Sequence, residues 1–234
     1  DRGRVTSLIS RRVFSMGNPH EAAIEWNLIP ENWSGYILIR SGIDGRVSNK
    51  GVERYRDLEG NHFRVEEKGK TEEDHYYLSA RSLQSEIKVS MACRTSMFRR
   101  EEPFACRREE VMEEDFAGED IAIECEKMLQ IRVEKTVAIF SSRDFAISDP
   151  LNEALQQLKY SKGFRLVKER SAQAWSEIWE RSDLCIEDEN GHESQGILHL
   201  HLFHLYQTVS VNSMGYDIGA VSYTHLRAHE TKAN

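Results

Sequence analysis

Cysteine is scarce in this sequence, and where it occurs it is scattered. Cys93, Cys106, Cys125 and Cys185 form no Cys-x-x-Cys pair and show no zinc-type ligand spacing, so the plain reading is free thiols in a reducing cytoplasm. Long apolar runs are missing as well. None approaches the roughly 20 residues needed to cross a bilayer, and the opening Asp-Arg-Gly-Arg lacks the apolar segment of a signal peptide. Cationic charge is in deficit, with 31 Lys and Arg against 39 Asp and Glu and a formal net charge of -8. That balance argues against a dedicated nucleic-acid binder, whose phosphate contacts call for clustered Lys and Arg. There is no Gly-rich phosphate loop, no Gly-x-Ser-x-Gly elbow, no His-Glu-x-x-His metal helix, no internal repeat and no low-complexity segment.

What is present is globular. Hydrophobic residues make up 39% and charged residues 30% of 234 positions, enough to bury a sizeable core in one large domain, or in one domain and part of another. To about residue 148 the period is two, which predicts strands. Gly35 to Ile39 opens one run, and Asp44-Gly45 reads as a hairpin dipeptide because Gly tolerates the positive φ of a tight turn. A second turn is predicted at Asn49-Lys50-Gly51. Ile87, Val89, Met91 and Cys93 alternate with Lys88, Ser90 and Ala92, the pattern of a half-buried strand. Ile121 with Ile123, Ile131 with Val133, and Val137 with Ile139 repeat it. Many short antiparallel strands predict a β-sandwich, or a large part of one. The clusters Glu66 to Lys70 and Glu109 to Asp115 read as solvated loops or strand ends.

The period changes at Asp149-Pro150, where Asp can cap a first helical turn and Pro, without an N–H, sits at the first helical position. Two helices are predicted up to Ser182, with Leu151, Leu155 and Leu158 on one face, a break at Gly163, and Trp175, Ile178, Trp179 and Ser182 at helical spacing. After an acidic loop around Asp188 to Gly191, Gln195 to Val209 reads as another helix, and Gly215 to Gly219 as a loop.

Two constellations invite chemistry. His199, His201 and His204 could ligate a metal, but at about 100° per helical residue His199 points away from the other two, so three ligands do not converge. Trp26, Trp33, Trp175 and Trp179 could stack on sugars. Core packing is the stronger reading, with Trp175 and Trp179 beside Ile178 on a helix face that packs on a sheet.

Three stretches, read in order, resemble one family. Arg12-Val-Phe-Ser-Met-Gly-Asn-Pro-His20, Ile29-Pro-Glu-Asn-Trp-Ser-Gly35, Ser41-Gly-Ile-Asp-Gly-Arg-Val-Ser-Asn49 and Gly51-Val-Glu-Arg-Tyr-Arg-Asp57 resemble the N-terminal sandwich of glycoside hydrolase family 65, the maltose, kojibiose and trehalose phosphorylases. Trp175-Ser-Glu-Ile-Trp-Glu-Arg-Ser-Asp183 is similar to the family's linker helix and the Asp-containing strand after it. Phe203-His-Leu-Tyr-Gln-Thr208, running to Tyr216-Asp-Ile-Gly219, looks like the first helix and following loop of its (α/α)6 barrel. The resemblance implies a partial antiparallel β-sandwich at 1–148, a helical linker at 149–182 and the beginning of the barrel at 183–220. Residues 221–234 resemble the translation of a sequencing-library adapter and are read as a non-native tail, and the front of the sandwich is expected to be truncated too.

The implied chemistry is inverting phosphorolysis of an α-linked glucose disaccharide, giving β-glucose 1-phosphate. One carboxylic acid protonates the leaving oxygen while inorganic phosphate, a co-substrate, attacks the opposite face. The family's acid and phosphate-binding residues lie further along the barrel. No catalytic, cofactor-binding or metal-binding residue is therefore assigned here, and the fragment is expected to be inactive. The complete enzyme is expected to be a cytoplasmic homodimer with no nucleic-acid or membrane partner. A non-catalytic carbohydrate-binding sandwich, and a hydrolase of the same family that uses water instead of phosphate, stay open as alternatives.

Overall fold

The computed structural model describes residues 3–48, 60–145, 147–186 and 192–208. The turn predicted at Asn49 to Gly51, the Gly51 to Asp57 stretch, the Asp188 to Gly191 loop and everything after Thr208 lie outside them. Ten strands come first: β1 Thr6–Phe14, β2 Glu21–Pro30, β3 Gly35–Asp44, β4 Phe63–Lys70, β5 Tyr76–Ser82, β6 Lys88–Arg99, β7 Glu102–Pro103, β8 Arg107–Glu113, β9 Phe116–Cys125 and β10 Ile131–Ser141. Three helices follow: α1 Pro150–Tyr160, α2 Phe164–Ser182 and α3 His192–Thr208. The chain divides into two compact units, Asp1–Trp175 and Ser176–Asn234.

In the first unit the strands form two antiparallel sheets. The larger runs β1-β2-β10-β6-β5-β4 with β7 beside β6, and the smaller runs β3-β9-β8. The predicted isoleucine pairs bring them together. Ile39, Ile121, Ile123 and Cys125 of the small sheet meet Met97, Ile131 and Val133 of the large one. A second cluster joins Ile43 to Tyr76, Leu78, Ala80 and Cys93. Burying a side chain such as Ile121 stabilises the fold by about 1.5–3 kcal/mol. Between the two clusters lies a polar layer, where Ser41 and Thr95 share a hydrogen bond of 2.7 Å and Arg108 reaches Glu119 at 2.8 Å. Burial pushes the Glu119 carboxyl above its usual range, with the Arg108 guanidinium opposing the shift.

Several expectations change in three dimensions. Asp44-Gly45 is not a hairpin: β3 pairs with β9, not with β4. Gly45 is fixed because its N–H donates to Asp115 O at 2.7 Å and a Cβ there would lie 2.5 Å from Val65 Cγ2. Strand β6 is buried on both faces, Cys93 against the small sheet and Ala92 against Leu158 and Ala154 of α1. Of the clusters read as solvated loops or strand ends, Glu66 to Lys70 ends β4 and Glu109 to Asp115 runs from within β8 into the turn before β9; both strands are edges of their sheets. Charged side chains keep such edges from pairing with other chains, and in doing so erase the apolar alternation that marks a strand.

The change of period marks a true boundary. Asp149 Oδ1 accepts from Leu151 N at 3.1 Å, capping α1, and Pro150 is its first residue. Leu151, Ala154 and Leu158 of α1 are buried, with Leu155 packed beside them. Gly163 separates α1 from α2 with φ +87°, and a Cβ on it would lie 2.6 Å from Glu134 Oε2. Gly163→Ala is therefore expected to lower stability by about 1–3 kcal/mol, because both the left-handed backbone and the contact oppose a side chain. A denaturation midpoint unchanged from the parent would count against that account.

In the second unit, the predicted helix is α3. Trp179 packs against His199 of α3, ring centroids 5.3 Å apart. His199 Nε2 also lies 2.8 Å from Asp183 Oδ1, and Tyr206 donates to Ser182 Oγ at 2.6 Å. Residues 183–186 are irregular backbone rather than the expected strand.

Candidate functional site

The outer face of the large sheet carries a buried charged seam under the start of α2. Alternation along β2 and β10 sends Ala23, Glu25, Glu134 and Thr136 to this face while Trp26 and Val133 face the small sheet. Glu25 and Glu134 are direct cross-strand partners, an arrangement that repels unless cations intervene. They do. Arg11 Nε donates to Glu25 Oε1 at 2.8 Å, and its Nη2 reaches the same oxygen. Asn27 adds a third donor at 2.7 Å. Arg132 Nη1 lies 3.1 Å from Glu134 Oε1 and 4.0 Å from Glu25 Oε2, with its guanidinium 4.4 Å from the Phe98 ring centre. The second Glu134 oxygen accepts from Phe164 N at 3.2 Å, so a carboxylate 30 residues upstream satisfies the first turn of α2 and suits its positive end.

Glu21 extends the seam. Its Oε1 accepts from Ser161 Oγ, and Oε2 faces Arg170 Nη1 of α2 at 3.8 Å. Phe164 and Val167 close over Ala23 beside Val13, and Ser171 Oγ accepts from Met16 N at 3.2 Å. In sum, the seam welds the helical segment to the sandwich through paired charges. Its residues were invisible in the sequence, where acids were too many to name a pair; the signal that could have found them is Glu at inward positions of strands that are otherwise apolar.

The candidate residues that the sequence did single out are placed as follows. Trp26 and Trp33 pack against the inter-sheet core, Trp26 Nε1 donating to Ser10 Oγ at 3.0 Å and Trp33 Nε1 to Thr6 Oγ1 at 3.0 Å. His199, His201 and His204 stay apart in role: His199 is engaged with Asp183 and Trp179, while His204 tilts against Phe203. Among the described residues, no group of three or more His, Cys, Asp or Glu side chains is arranged to hold a metal ion, and no helix is long and apolar enough to cross a membrane. The four cysteines are free; burial pushes the Cys93 thiol up to about 11, leaving it an unreactive core residue.

His75, just before β5, is buried, and its Nδ1 has no hydrogen-bond partner among the described residues. Burial first, then Arg94 and Lys159, lower its affinity for a proton, while Glu73 and Asp74 oppose them. Between the ordinary value of 6.5 and its lower folded value, the unfolded chain binds a proton that the folded chain does not. The resulting stability is complete above about pH 6.5 and is lost as pH falls through the folded value. Urea midpoints measured between pH 7.5 and 5 should fall for the parent and fall less for His75→Leu; parallel curves would refute the assignment.

Comparison with known proteins agrees with this architecture. The family model for the N-terminal domain of glycosyl hydrolase family 65 matches residues 1–178. An uncharacterized glycosyl hydrolase of Mycobacterium tuberculosis is 31% identical over 93% of this chain and 16% of its own length. A kojibiose phosphorylase of Caldanaerobacter subterraneus is 25% identical over 94% of the chain and 29% of its own. A trehalose 6-phosphate phosphorylase of Lactococcus lactis is 24% identical over 88% and 25%. Among solved structures, a putative kojibiose phosphorylase from the human microbiome shares the fold with a TM-score of 0.70 at 13% identity, covering 89% of this chain and 26% of that one. The chain thus spans less than a third of the length of these relatives. With a sandwich of two antiparallel sheets, helices welded to its outer face and a family match over residues 1–178, the chain belongs to glycosyl hydrolase family 65, as its N-terminal domain.

Proposed function

We propose that this chain is the supporting, non-catalytic part of an inverting disaccharide phosphorylase that converts an α-linked glucose disaccharide and inorganic phosphate into β-glucose 1-phosphate and a free sugar. In this reading residues 1–148 are the sandwich, 149–182 the helical linker and 183–220 the start of the barrel that carries the general acid further on. The complete enzyme works as a cytoplasmic homodimer. The observation that carries the reading is the match to the N-terminal domain of the family, joined to relatives named as kojibiose and trehalose 6-phosphate phosphorylases.

The charged groups support a scaffolding role. A general acid needs a carboxyl within reach of a substrate in an open cleft. Among the described residues the buried carboxylates Glu21, Glu25, Glu119 and Glu134 are instead tied to Ser161 or to arginines. The chain alone should neither consume nor release phosphate with maltose, trehalose or kojibiose, while the full-length enzyme should cleave one of them only when phosphate is supplied. Turnover by the chain alone would sink the scaffolding role. Cleavage by the full-length enzyme without phosphate would favour the hydrolase reading, for which the 31% identical glycosyl hydrolase speaks.

A further inference from the structure

The face of the large sheet turned toward the small sheet has a charge imbalance that the fold does not use. On this face β1 presents Thr6, Leu8, Ser10, Arg12 and Phe14, β2 presents Ala22, Ile24, Trp26 and Leu28, and β10 presents Ile131, Val133, Lys135, Val137 and Ile139. Over these three strands it holds two cations and no acid; Glu21, Glu25 and Glu134 all point the other way, into the seam. Arg12 and Lys135 are both cross-strand partners of Ile24, so their Cα atoms flank it roughly 10 Å apart, two strand spacings. Neither has a carboxylate partner among the described residues. Arg12 is exposed, and the half-buried Lys135 ammonium is held by the Gly42 carbonyl alone, which leaves two of its three N–H donors free. The acids of the small sheet that come near are spoken for, Glu119 by Arg108 and Asp120 by Arg40.

A cavity lies at this spot. The small sheet ends at β3 while the large sheet continues through β2 to β1, and a space of about 210 Å³ there is lined by Ile24, Trp26, Thr95, Val133 and Lys135 and, on the small-sheet side, by Arg40, which is paired with Asp120; Arg12 stands outside that lining, across Ile24 on the edge strand β1. Trp26 occupies the next row along the strand, its ring fixed by the bond to Ser10. A half-buried ammonium without an anion is costly to keep desolvated, and a guanidinium and an ammonium flanking one position suit a tetrahedral oxyanion with several acceptor oxygens.

We propose that Arg12 and Lys135 form a binding site for a phosphate group, free or carried by a sugar whose ring face lies on Trp26. The site is argued from these residues alone, so its failure would leave the phosphorolysis reading standing. The test is isothermal titration of the full chain, at constant ionic strength, with inorganic phosphate, β-glucose 1-phosphate and glucose. Saturable binding of either phosphate compound, weakened tenfold or more by Arg12→Gln and by Lys135→Met and unchanged by Arg165→Gln on the exposed face of α2, is the expected result. Equal affinity for the two would identify inorganic phosphate as the ligand; tighter binding of β-glucose 1-phosphate, reduced by Trp26→Leu, would identify the sugar phosphate. No saturable binding, or binding indifferent to Arg12→Gln, overturns the proposal, and because Arg12 is exposed that variant tests it without threatening the fold.

Discussion

Glu134→Ala should cost the fold about 3–5 kcal/mol, the range for removing one partner of a buried charge pair. Three losses coincide. Arg132, only 18% exposed, loses its 3.1 Å partner and keeps Glu25 at 4.0 Å and the exposed Glu101 carboxylate at 3.0 Å. Phe164 N loses its acceptor at the first turn of α2. A cavity also opens beneath Gly163, on the side where a Cβ would have met Glu134 Oε2. Glu134→Gln should lose less, since an amide oxygen can still accept from Phe164. Adding Arg132→Met to Glu134→Ala should recover part of the loss, because the cation that lost its buried partner is gone; coupling of 1 kcal/mol or more in the double-mutant cycle is expected for groups in direct contact. Urea unfolding of the four proteins measures this, and additive losses would show that the seam is not a connected network.

The second large effect is at Gly42. Gly42 and Gly118 are cross-strand partners on β3 and β9, covered by the Phe116 ring, itself flanked by the Arg40 and Arg46 guanidinium groups at 5.9 and 5.8 Å. A Cβ on Gly42 would lie 2.5 Å from Ala117 O, 2.5 Å from Phe116 Cζ and 2.8 Å from Gly118 Cα. Two of these obstacles are backbone and cannot swing aside. Gly42→Val should therefore cost about 3 kcal/mol or more, the upper end for overpacking, with Gly42→Ala intermediate; thermal melts of both variants decide it. A melting temperature for Gly42→Val within a degree or two of the parent would mean that the two strands can part without loss. Much of the segment Ser41 to Val47, part of the family resemblance, is thus explained by packing: Ser41 bonds Thr95 across the sheets, Ile43 enters the core, and Arg46 binds Asp44 and Glu113.

How far the sequence could be read depended on whether a signal was local. The capped start of α1, the break at Gly163 and the inward isoleucines of β9 and β10 each depend on a few adjacent residues, and each stands where the sequence put it. The Asp44-Gly45 dipeptide failed because a turn signal says nothing about which strand comes back, and here β3 finds its partner at β9, more than 70 residues on. The edge strands β4 and β8 could be read only as loops or strand ends, because protection against stray pairing replaces alternation with charge. Ser90 and Ala92 were expected outward because nothing near them announces that α1 will cover that face.

By itself the sequence determined the two periodicities, the point where one gives way to the other, and the family. Those are properties of short windows, set by the geometry of strand and helix. Only the tertiary structure decided that Glu25 meets Glu134, that Glu134 caps a helix, and that Arg12 and Lys135 stand on either side of Ile24 with no acid beside them on β1, β2 or β10. Such pairings depend on register between strands separated by up to a hundred residues or more, and register is fixed by the packed core as a whole, not by any residue alone.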